Sequence, residues 1–468
     1  MKTIPLHFAV LLMGCAFAQP FRPEIPRTWD EEAMRTLEVP LATPEVSPRH
    51  MPAERYYAIP EYTVYKTYPR HIPGRNDAEY FAWLREQEPV VILADLPRVR
   101  TKADWIEAGE AVFHWPSSIR QVEGAGESNR LVVRAKGKIE YGSAGCSFCH
   151  TRVLDDGTEI AGAQMNMARS WRERRPPTER DLAGFLASRT TGDLDAPWLK
   201  PDPNLVPPTL PLAIFASLRT RPPGPGPRFH TSLWSPVNMP SLIGVADIRY
   251  LDRTGHVRHR DIGDLMRYAA LNFGIGTIAF TSAFGPSEPG RPLRPDVRRL
   301  SDAHLYALGL YIYSLQPPKN PNPFNAAAAQ GQKIFAREGC TGCHPAPLYT
   351  NNKLTPAPGF RGPEEHKHAY DVLPVSVGTD PWLAMKTRRG TGYYKVPSLR
   401  GVWYRGPFEH NGSVLTLEDW FDPARLRDDY VPTGWLGPNA TRAVRGHEFG
   451  LRLKPEERKA LIAFLRTL

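Results

Sequence analysis

Two segments of the sequence share one spacing of cysteine and histidine. The thiols that make up the two pairs are Cys146, Cys149, Cys340 and Cys343. Each pair is followed directly by a histidine, His150 in the first segment and His344 in the second. Two thiols at this spacing can reach the two vinyl groups of one porphyrin, and the next residue can then hold the iron. The pattern predicts two covalent c-type haems, with His150 and His344 as proximal ligands.

A C-x-x-C pair has an alternative interpretation as half of a zinc site or as a redox pair. Zinc sites combine such a pair with a second pair or with two spaced histidines, and a histidine directly after the second cysteine is not part of that pattern. The remaining cysteine, Cys15, lies near the N terminus. If haem takes the other four thiols, no disulfide can form within the exported chain. Beyond the haem ligands, the sequence identifies no catalytic residue.

The N terminus predicts export. Lys2 precedes an apolar run over Phe8–Met13, and Ala16–Ala18 fits a small-x-small cleavage site, so residues 1–18 are interpreted as a signal peptide. The alternative is a lipoprotein anchor acylated at Cys15. No later stretch has the roughly 18 apolar residues that a membrane-spanning helix needs. These features predict a periplasmic or secreted protein without a transmembrane span.

The composition and net charge of the chain indicate its general class and the kinds of partner that it could bind. The chain has 468 residues, 41% hydrophobic and 23% charged, which is ordinary for a globular protein and allows two or three domains. Its 49 prolines are about twice the usual share and predict much irregular structure. The net charge of +10 favours solubility, or a basic face for an acidic redox partner. The positive charge is scattered, which argues against nucleic acid.

Three kinds of segment occur twice and reveal an internal repeat. The paired segments are Trp105–Phe113 with Ala329–Phe335, Met239–Val245 with Val396–Val402, and Leu300–Leu315 with Leu453–Leu468. The first and third kinds have helical periodicity, and Leu461, Leu465 and Leu468 lie on one helix face. Ser301 is a candidate N-cap and Pro455 fits a first helical turn. A β-like run over Arg130–Tyr141 interrupts the first copy.

The repeat predicts the fold class and its divisions. We expect a mainly α protein with two tandem cytochrome c-like haem domains, an N-terminal extension and much irregular, proline-rich structure. The predicted divisions are a signal peptide over 1–18, an extension over 19–100, a first haem domain over 101–318 and a second over 319–468. Pro317–Pro323 would form a stiff linker. The tyrosines at 56, 57, 62, 65 and 68 are expected to pack at the surface.

The two haems are predicted to differ in their sixth ligand. When the closing helices are aligned at Leu300 and Leu453, His447 precedes the second helix at the distance where Arg294 precedes the first. Arginine stays protonated and cannot ligate iron, so the second haem would be closed by His344 and His447 while the first keeps an open position. His410 is the competing ligand for the second iron. Residues that could close the first are His230, His256, His259, Met239 and Met266.

Further residues have less specific interpretations. Phe273 and Phe280 could form an apolar wall above the first haem or could pack in the core. Three arginines could pair with haem propionates or could be exposed, namely Arg388, Arg389 and Arg400. Trp234 or Trp403 could lie between the haems, although core packing is the better interpretation of either tryptophan.

The stretch Tyr394–Phe421, YKVPSLRGVWYRGPFEHNGSVLTLEDWF, resembles the segment that follows the second haem in the bacterial di-haem cytochrome c peroxidase and MauG superfamily. The resemblance covers roughly residues 100–468 and is most specific at the C-terminal end. The arginine-rich run before Tyr394 and the late GHEFG look most similar to the rubber oxygenase branch. In the family, that position near His447 is a methionine in the peroxidases and a tyrosine in MauG, so a histidine favours the oxygenase branch. The chain is shorter than the rubber-cleaving enzymes.

The resemblance implies an exported oxidoreductase in which the first haem activates O2 or H2O2 and the second relays electrons. The electron source would be a small redox protein or an organic donor or substrate. The peroxidases also hold Ca²⁺ between domains, and this sequence has no acidic loop that can be assigned to it. The alternative, from a different class, is an electron-transfer cytochrome with both irons six-coordinate. Such a carrier would show two low-spin haems and no response to cyanide, CO or peroxide.

Overall fold

The computed structural model describes most of the chain outside the N terminus and several segments of the first half. The described residues are 20–42, 52–72, 74–121, 130–143, 145–166, 224–228, 232–272, 297–385, 387, 389–431, 433 and 443–468. Some of the predictions above therefore lie outside the described residues, namely those on residues 1–18 with Cys15, and on His230, Phe273, Phe280, Arg294 and Arg388.

Helices are the dominant element of the described residues, and most of them are short. In chain order they are α1 Glu31–Arg35, α2 Ala53–Tyr57, α3 Asp77–Arg85, α4 Lys102–His114, α5 Cys146–Cys149, α6 Ile262–Asn272, α7 Asp302–Ser314, α8 Ala326–Arg337, α9 His366–Ala369, α10 Trp382–Met385, α11 Leu417–Trp420 and α12 Pro455–Leu465. The expectation of a mainly α fold is confirmed.

The strands are short and form small sheets. In chain order they are β1 Thr67–Pro69, β2 Ser118–Arg120, β3 Arg130–Ala135, β4 Lys138–Ser143, β5 Thr151–Val153, β6 Glu159–Ala161, β7 Gly226–Arg228, β8 Ser232–Val237, β9 Tyr250–Leu251, β10 Val257–Arg258, β11 Leu354–Pro356 and β12 Tyr393–Lys395. The largest sheet among the described residues is antiparallel with the order β1-β3-β4-β2. Its β3 and β4 confirm the predicted β run within the first copy of the repeat.

The repeated segments form two equivalent helix pairs. Helix α4 packs against α7 in the first half of the chain, and α8 packs against α12 in the second half, with the halves divided at the proline-rich linker. Each crossing has a glycine at the contact. A Cβ on Gly109 would lie 2.0 Å from the carbonyl oxygen of Ala307, and one on Gly331 would lie 1.9 Å from that of Ala460. Only glycine permits this backbone approach, and the two copies of the repeat use it alike.

The N-terminal ends of α7 and α12 contain the capping and first-turn residues that the sequence predicted. Ser301 caps α7 by accepting a hydrogen bond from the backbone N–H of His304, and Pro455 occupies the first turn of α12. Leu461 and Leu465 are buried, and Leu468 packs against the same apolar cluster. Pro317–Pro323 forms neither helix nor strand, as expected of a linker.

The segment before residue 101 shares its core with the first half. Trp29 and Tyr56 are fully buried, and their rings stack with centroids 4.4 Å apart. They belong to one apolar cluster with Phe113 and Leu305. The expectation of surface packing is wrong for Tyr56, whose whole ring is buried against Trp29, and for Tyr68, which is buried in a smaller apolar cluster with Tyr80. A separate cluster, containing Phe335, Leu461 and Phe464, forms the core of the second half.

Candidate haem-binding sites

The second C-x-x-C-H segment lies directly after α8. Cys340 begins a single 3₁₀ turn, and the backbone N–H of His344 donates to the carbonyl of Cys340 at 2.8 Å. This tight turn brings the two thiols and the imidazole to one side of the segment. Cys340 also packs against the core of the second half, and its burial, with a contribution from Glu338, raises the pKa of its thiol to about 11.

The imidazole of His344 is held in one orientation by the backbone. Its Nδ1 lies 3.0 Å from the carbonyl oxygen of Tyr349. A carbonyl can only accept, so Nδ1 carries the proton and Nε2 keeps a free lone pair. Burial, together with the nearby His447, lowers the pKa of His344 to about 4. The side chain is therefore neutral at physiological pH and has its ligating nitrogen available.

His447 faces His344 across a cavity. The two ring centroids are 6.4 Å apart and the ring planes are inclined by 56°. A metal bound by two imidazole nitrogens lies about 2 Å from each nitrogen and therefore about 3 Å from each ring centre. The observed separation would therefore allow both rings to bind one iron. The Nδ1 atom of His447 is buried and has no hydrogen-bond partner among the described residues.

The loop that carries His447 is held by a buried arginine. His447 has a positive φ of 45°, and its backbone N–H donates to the carbonyl of Val377 at 2.6 Å. The guanidinium of Arg425, which is 1% exposed, donates to the carbonyls of Gly446 at 3.0 Å and His447 at 2.9 Å, and also to that of Val444. These bonds offset the cost of the unusual backbone conformation and fix the imidazole at the cavity.

The cavity between these histidines measures about 220 Å³, and both thiols of the second segment line it. Its apolar lining residues include Phe335, Leu399, Val402, Leu417, Trp420, Phe421, Phe449, Leu461 and Leu465. Two thiols, two facing imidazoles and apolar walls are the surroundings that a covalently held haem requires. The residues present therefore fit a haem, and His344 and His447 are the side chains that could hold its iron.

His410, the competing ligand, lines the same cavity but is engaged elsewhere. Its ring stacks on Tyr394 with centroids 4.6 Å apart, and its Nε2 lies 3.4 Å from the hydroxyl of that tyrosine. Its Nδ1 is 3.4 Å from the carboxylate of Glu409. Both ring nitrogens thus have protein partners, whereas His447 keeps an unpartnered nitrogen. The geometry favours His447 over His410.

The first C-x-x-C-H segment repeats the design of the second. Cys146 and Cys149 are the ends of the short helix α5, and Nδ1 of His150 lies 3.0 Å from the carbonyl oxygen of Pro240. Burial, with a smaller effect of Arg253, lowers the pKa of His150 to about 4. Pro240 belongs to the repeated Pro-Ser-Leu segment, and its counterpart Pro397 likewise offers its carbonyl to His344.

Several residues that the sequence suggests as a sixth ligand for the iron of the first haem make other contacts within the protein. His259 hydrogen-bonds through Nδ1 to the carbonyl of Ile248 and through Nε2 to the hydroxyl of Tyr313, both at 2.6 Å. His256 lies 3.4 Å from the carboxylate of Glu38, and Met266 is fully buried in the core of the first half. The backbone carbonyl of Met239 accepts a hydrogen bond from the side chain of Arg253 at 3.2 Å.

The arginines proposed for the propionates have other partners. Arg400 pairs with Asp247 at 2.8 Å. Arg389 is buried and donates to Asn272 at 2.8 Å, close to Asp252. Trp403 is half-buried, with its ring edge-on to Tyr404 at 4.9 Å, and packs against a small apolar cluster that contains Ile160 and Ala163 of the first half.

Sequence reasoning missed three cations on the cavity wall, namely Arg253, Lys395 and Arg405. A signal was available for two of them. Lys395 lies two residues before Pro397 and Arg405 eight residues after it, whereas the positions at the same distances from Pro240 are Asn238 and Ile248. The charges are thus specific to the second copy of the repeat.

No family model matches the sequence. An uncharacterised protein of Sinorhizobium fredii is 34% identical over 110 residues, 16% of this chain and 18% of that protein. The cytochrome-c peroxidase IdrP1 of Denitromonas iodatirespirans is 28% identical over 165 residues, 31% of this chain and 40% of that protein. The methylamine utilization protein MauG of Methylorubrum extorquens is 25% identical over 190 residues, 40% of this chain and 48% of that protein.

The curated relatives of this chain thus include cytochrome-c peroxidases and MauG. The chain spans about half or less of the length of each curated relative that it matches. Among solved structures, the di-haem peroxidase BthA of Burkholderia thailandensis is 19% identical and covers 68% of this chain and 92% of its own, with a TM-score of 0.27. A MauG-like protein associated with microbial copper homeostasis is 17% identical and covers 50% of this chain and 73% of its own, with a TM-score of 0.30. Within the described residues, no helix has the length and apolar character needed to cross a bilayer.

Proposed function

We propose that this chain is an exported di-haem c-type oxidoreductase that uses peroxide, with residues 1–18 as its signal peptide and two haem domains over 101–318 and 319–468. The observation that carries the proposal is the pair of imidazoles of His344 and His447, 6.4 Å apart in a cavity that Cys340 and Cys343 also line. A haem bound there would have two protein ligands and could exchange electrons without binding a substrate.

The first site has the same proximal arrangement and a different role in this proposal. His150 is held by the Pro240 carbonyl and offers Nε2 as its ligating atom. Haem bound there would supply a site at which peroxide is reduced, provided that the opposite face stays open. The protein's contribution is to keep His150 neutral and oriented and to attach the porphyrin through Cys146 and Cys149. The names of the cytochrome-c peroxidase relatives agree with this chemistry.

The residues of the second site have three tasks. His344 and His447 would hold the iron, and the apolar walls would keep water away from it. The carbonyls of Tyr349 and Gly446 fix the positions of the two imidazoles, the first by accepting from Nδ1 of His344 and the second through Arg425. A rigid, closed site changes little between oxidation states, which suits electron transfer from a small redox protein.

The peroxidase proposal is tested by spectroscopy and turnover of the purified protein. We expect one high-spin and one low-spin signal in electron paramagnetic resonance, and peroxide-dependent oxidation of a reduced cytochrome. Two low-spin signals, with no response to cyanide, CO or peroxide, would instead identify an electron carrier. Oxygen uptake with an unsaturated hydrocarbon, in place of peroxide turnover, would identify an oxygenase, the function that a histidine at position 447 favours by resemblance.

Calcium remains an expectation drawn from the resemblance. Within the described residues, no group of three or more histidine, cysteine, aspartate or glutamate side chains could hold a metal ion. Elemental analysis of the purified protein would decide whether calcium is bound.

A further inference from the structure

Three cationic side chains from separate segments line the cavity that contains His344 and His447. Arg253 follows β9 in the first half of the chain. Lys395 ends β12, and Arg405 follows the 3₁₀ turn over Val402–Tyr404 in the second half. The cluster therefore joins the two halves at the wall of one cavity.

Within the part of the chain that the structure describes, the hydrogen-bond acceptors of these cations are all uncharged. Arg253 donates to the carbonyls of Asn238 at 3.0 Å and Met239 at 3.2 Å, and to the side-chain oxygen of Gln164 at 3.2 Å. Lys395 donates from Nζ to the carbonyl of Tyr250 at 3.2 Å.

Arg405 is the least satisfied of the three. Its guanidinium donates to the carbonyls of Ser398 at 2.8 Å and Arg400 at 2.9 Å. Its Nε atom is buried and has no partner within the part of the chain that the structure describes. In that part, none of the ion pairs involves Arg253, Lys395 or Arg405. Arg400 and Arg389, by contrast, each have an aspartate.

Burying like charges together is unfavourable unless an anion accompanies them. Burial and the charge of Arg405 lower the pKa of Arg253 to about 9. Burial and the charges of Arg253 and Arg405 lower the pKa of Lys395 to about 7. Glu409, an acid on the same cavity wall, acts in the opposite direction and raises the pKa of Arg253, but it pairs with His410 at 3.4 Å and forms no ion pair with the three cations among the described residues. One carboxylate cannot balance three cations, so the cluster keeps an excess of positive charge.

We propose that Arg253, Lys395 and Arg405 bind a pair of carboxylates, and that these are the two propionates of the haem held by Cys340 and Cys343. The inference rests on the proposed function, because it assumes a haem in this cavity. A porphyrin carries both propionates on one edge, and guanidinium forks and an ammonium are the side chains suited to them. Because Arg253 belongs to the first half, the second haem would also link the two halves.

The test uses the haem-loaded protein and the midpoint potential of the second haem. Removing a cation beside a propionate leaves its negative charge uncompensated and favours the ferric state. We expect Lys395→Gln and Arg405→Gln each to shift the reduced-to-oxidised ratio about tenfold toward the oxidised form, which is 59 mV for one electron. Lys395→Arg and Arg405→Lys keep the positive charge, so the midpoint potential of the second haem should stay close to that of the wild type.

Arg400→Gln is the matched control, because Arg400 lies in the same segment, pairs with Asp247 and does not line the cavity. It should leave the potential unchanged. A control shift as large as that of the cluster variants, or cluster variants with the wild-type potential, would overturn the inference. If a glutamine variant fails to fold, the charge-retaining variants and Arg253→Gln supply the same comparison.

A soluble dicarboxylate is the other source of this anion chemistry. Titrating the haem-loaded wild type with succinate should leave the potential of the second haem unchanged, because the propionates already occupy the cluster. A saturable shift that is lost in Lys395→Gln would show a site open to soluble anions and overturn the assignment. The mass of the intact protein separates the two proposals: absence of the second haem refutes the proposed function, whereas two haems with unresponsive potentials refute only the cluster's role.

Discussion

At the scale of single residues, two features of His447 distinguish it from His410. Its ring lies 6.4 Å from that of His344, and its Nδ1 has no hydrogen-bond partner among the described residues. His410 lines the same cavity but stacks on Tyr394 and pairs with Glu409. An imidazole whose nitrogens are already engaged is a poorer ligand than one that keeps a free lone pair.

The ligand assignment predicts a clear difference between two alanine variants. His447→Ala should convert the second haem from low spin to high spin and change its midpoint potential, because a strong axial ligand is lost. The proteolysis pattern of the first half should stay unchanged. Electron paramagnetic resonance and redox titration measure the effect. If His410→Ala produces these changes and His447→Ala is silent, the assignment is wrong.

At the scale of elements, each half of the chain is built on one helix crossing with a glycine at its centre. A methyl group at Gly331 would lie 1.9 Å from the carbonyl oxygen of Ala460 and 2.8 Å from Cβ of Phe464. The clash involves backbone, so α8 and α12 must move apart to relieve it. Cys340 and His344 follow α8 directly, and the displacement would therefore reach the haem-binding turn.

We expect Gly331→Ala to lower the free energy of unfolding by about 1–3 kcal/mol, the usual cost of overpacking. Urea unfolding of the haem-loaded protein measures the change. Gln332→Ala is the matched control, because Gln332 is the next residue of α8 and is exposed. Alanine is the better helix former at both positions, so a Gly331→Ala protein as stable as the wild type would show that the helices do not cross this closely.

At the scale of the whole molecule, two buried amides connect the halves. Gln164 donates to the carbonyls of Arg405 at 2.7 Å and Pro407 at 2.8 Å. Asn238 donates to those of Pro407 at 2.8 Å and Glu409 at 2.7 Å. Both amides come from the first half, and all of these acceptors lie in one loop of the second half.

Asn238→Ala should weaken the connection between the halves. It removes one donor each from the carbonyls of Pro407 and Glu409. Among the described residues, these carbonyls keep only the bonds from the side chain of Gln164 at 2.8 Å and from the backbone of Gly412 at 3.4 Å, respectively. Each lost hydrogen bond should cost about 0.5–1.5 kcal/mol. Calorimetry should show the second half unfolding earlier, as a separate transition. Asn166→Ala is the control, because Asn166 bonds to Val153 within the first half. An equal change of cooperativity in both variants would argue against the amide connection.

Buried neutral histidines predict that acid destabilises the molecule. Burial, and then the charge of Arg130, lower the pKa of His114 to about 3, and burial lowers that of His304. The pKa of an unfolded histidine is about 6.5. Below that pH the unfolded chain binds protons that the folded chain does not, so the free energy of unfolding falls by about 1.4 kcal/mol per pH unit for each such histidine.

Urea unfolding between about pH 7 and about pH 5 measures this dependence. His114→Gln removes one of these histidines. The dependence of the free energy of unfolding on pH should therefore become weaker by up to about 1.4 kcal/mol per pH unit. His368→Gln, at an exposed position, should leave the slope as it is. A wild-type stability that does not change with pH over this range would contradict the prediction.

The features that depend on local spacing could be predicted from the amino-acid sequence. The C-x-x-C-H pairs, the repeated helices with their glycines, the cap at Ser301 and the position of His447 before the last helix could all be predicted. Their physics is local, since a turn of two residues sets the thiol spacing and 3.6 residues per turn set the apolar faces.

Which distant side chains share a cavity became visible in the folded molecule. The tertiary structure paired Arg389 and Arg400 with aspartates, buried Tyr56 against Trp29, and brought Arg253 beside Lys395 and Arg405. Residues 253 and 395 are far apart in the chain, and neither has a spacing that signals a site. Such a convergence depends on how the halves pack together, because burial and charge compensation are properties of the folded molecule.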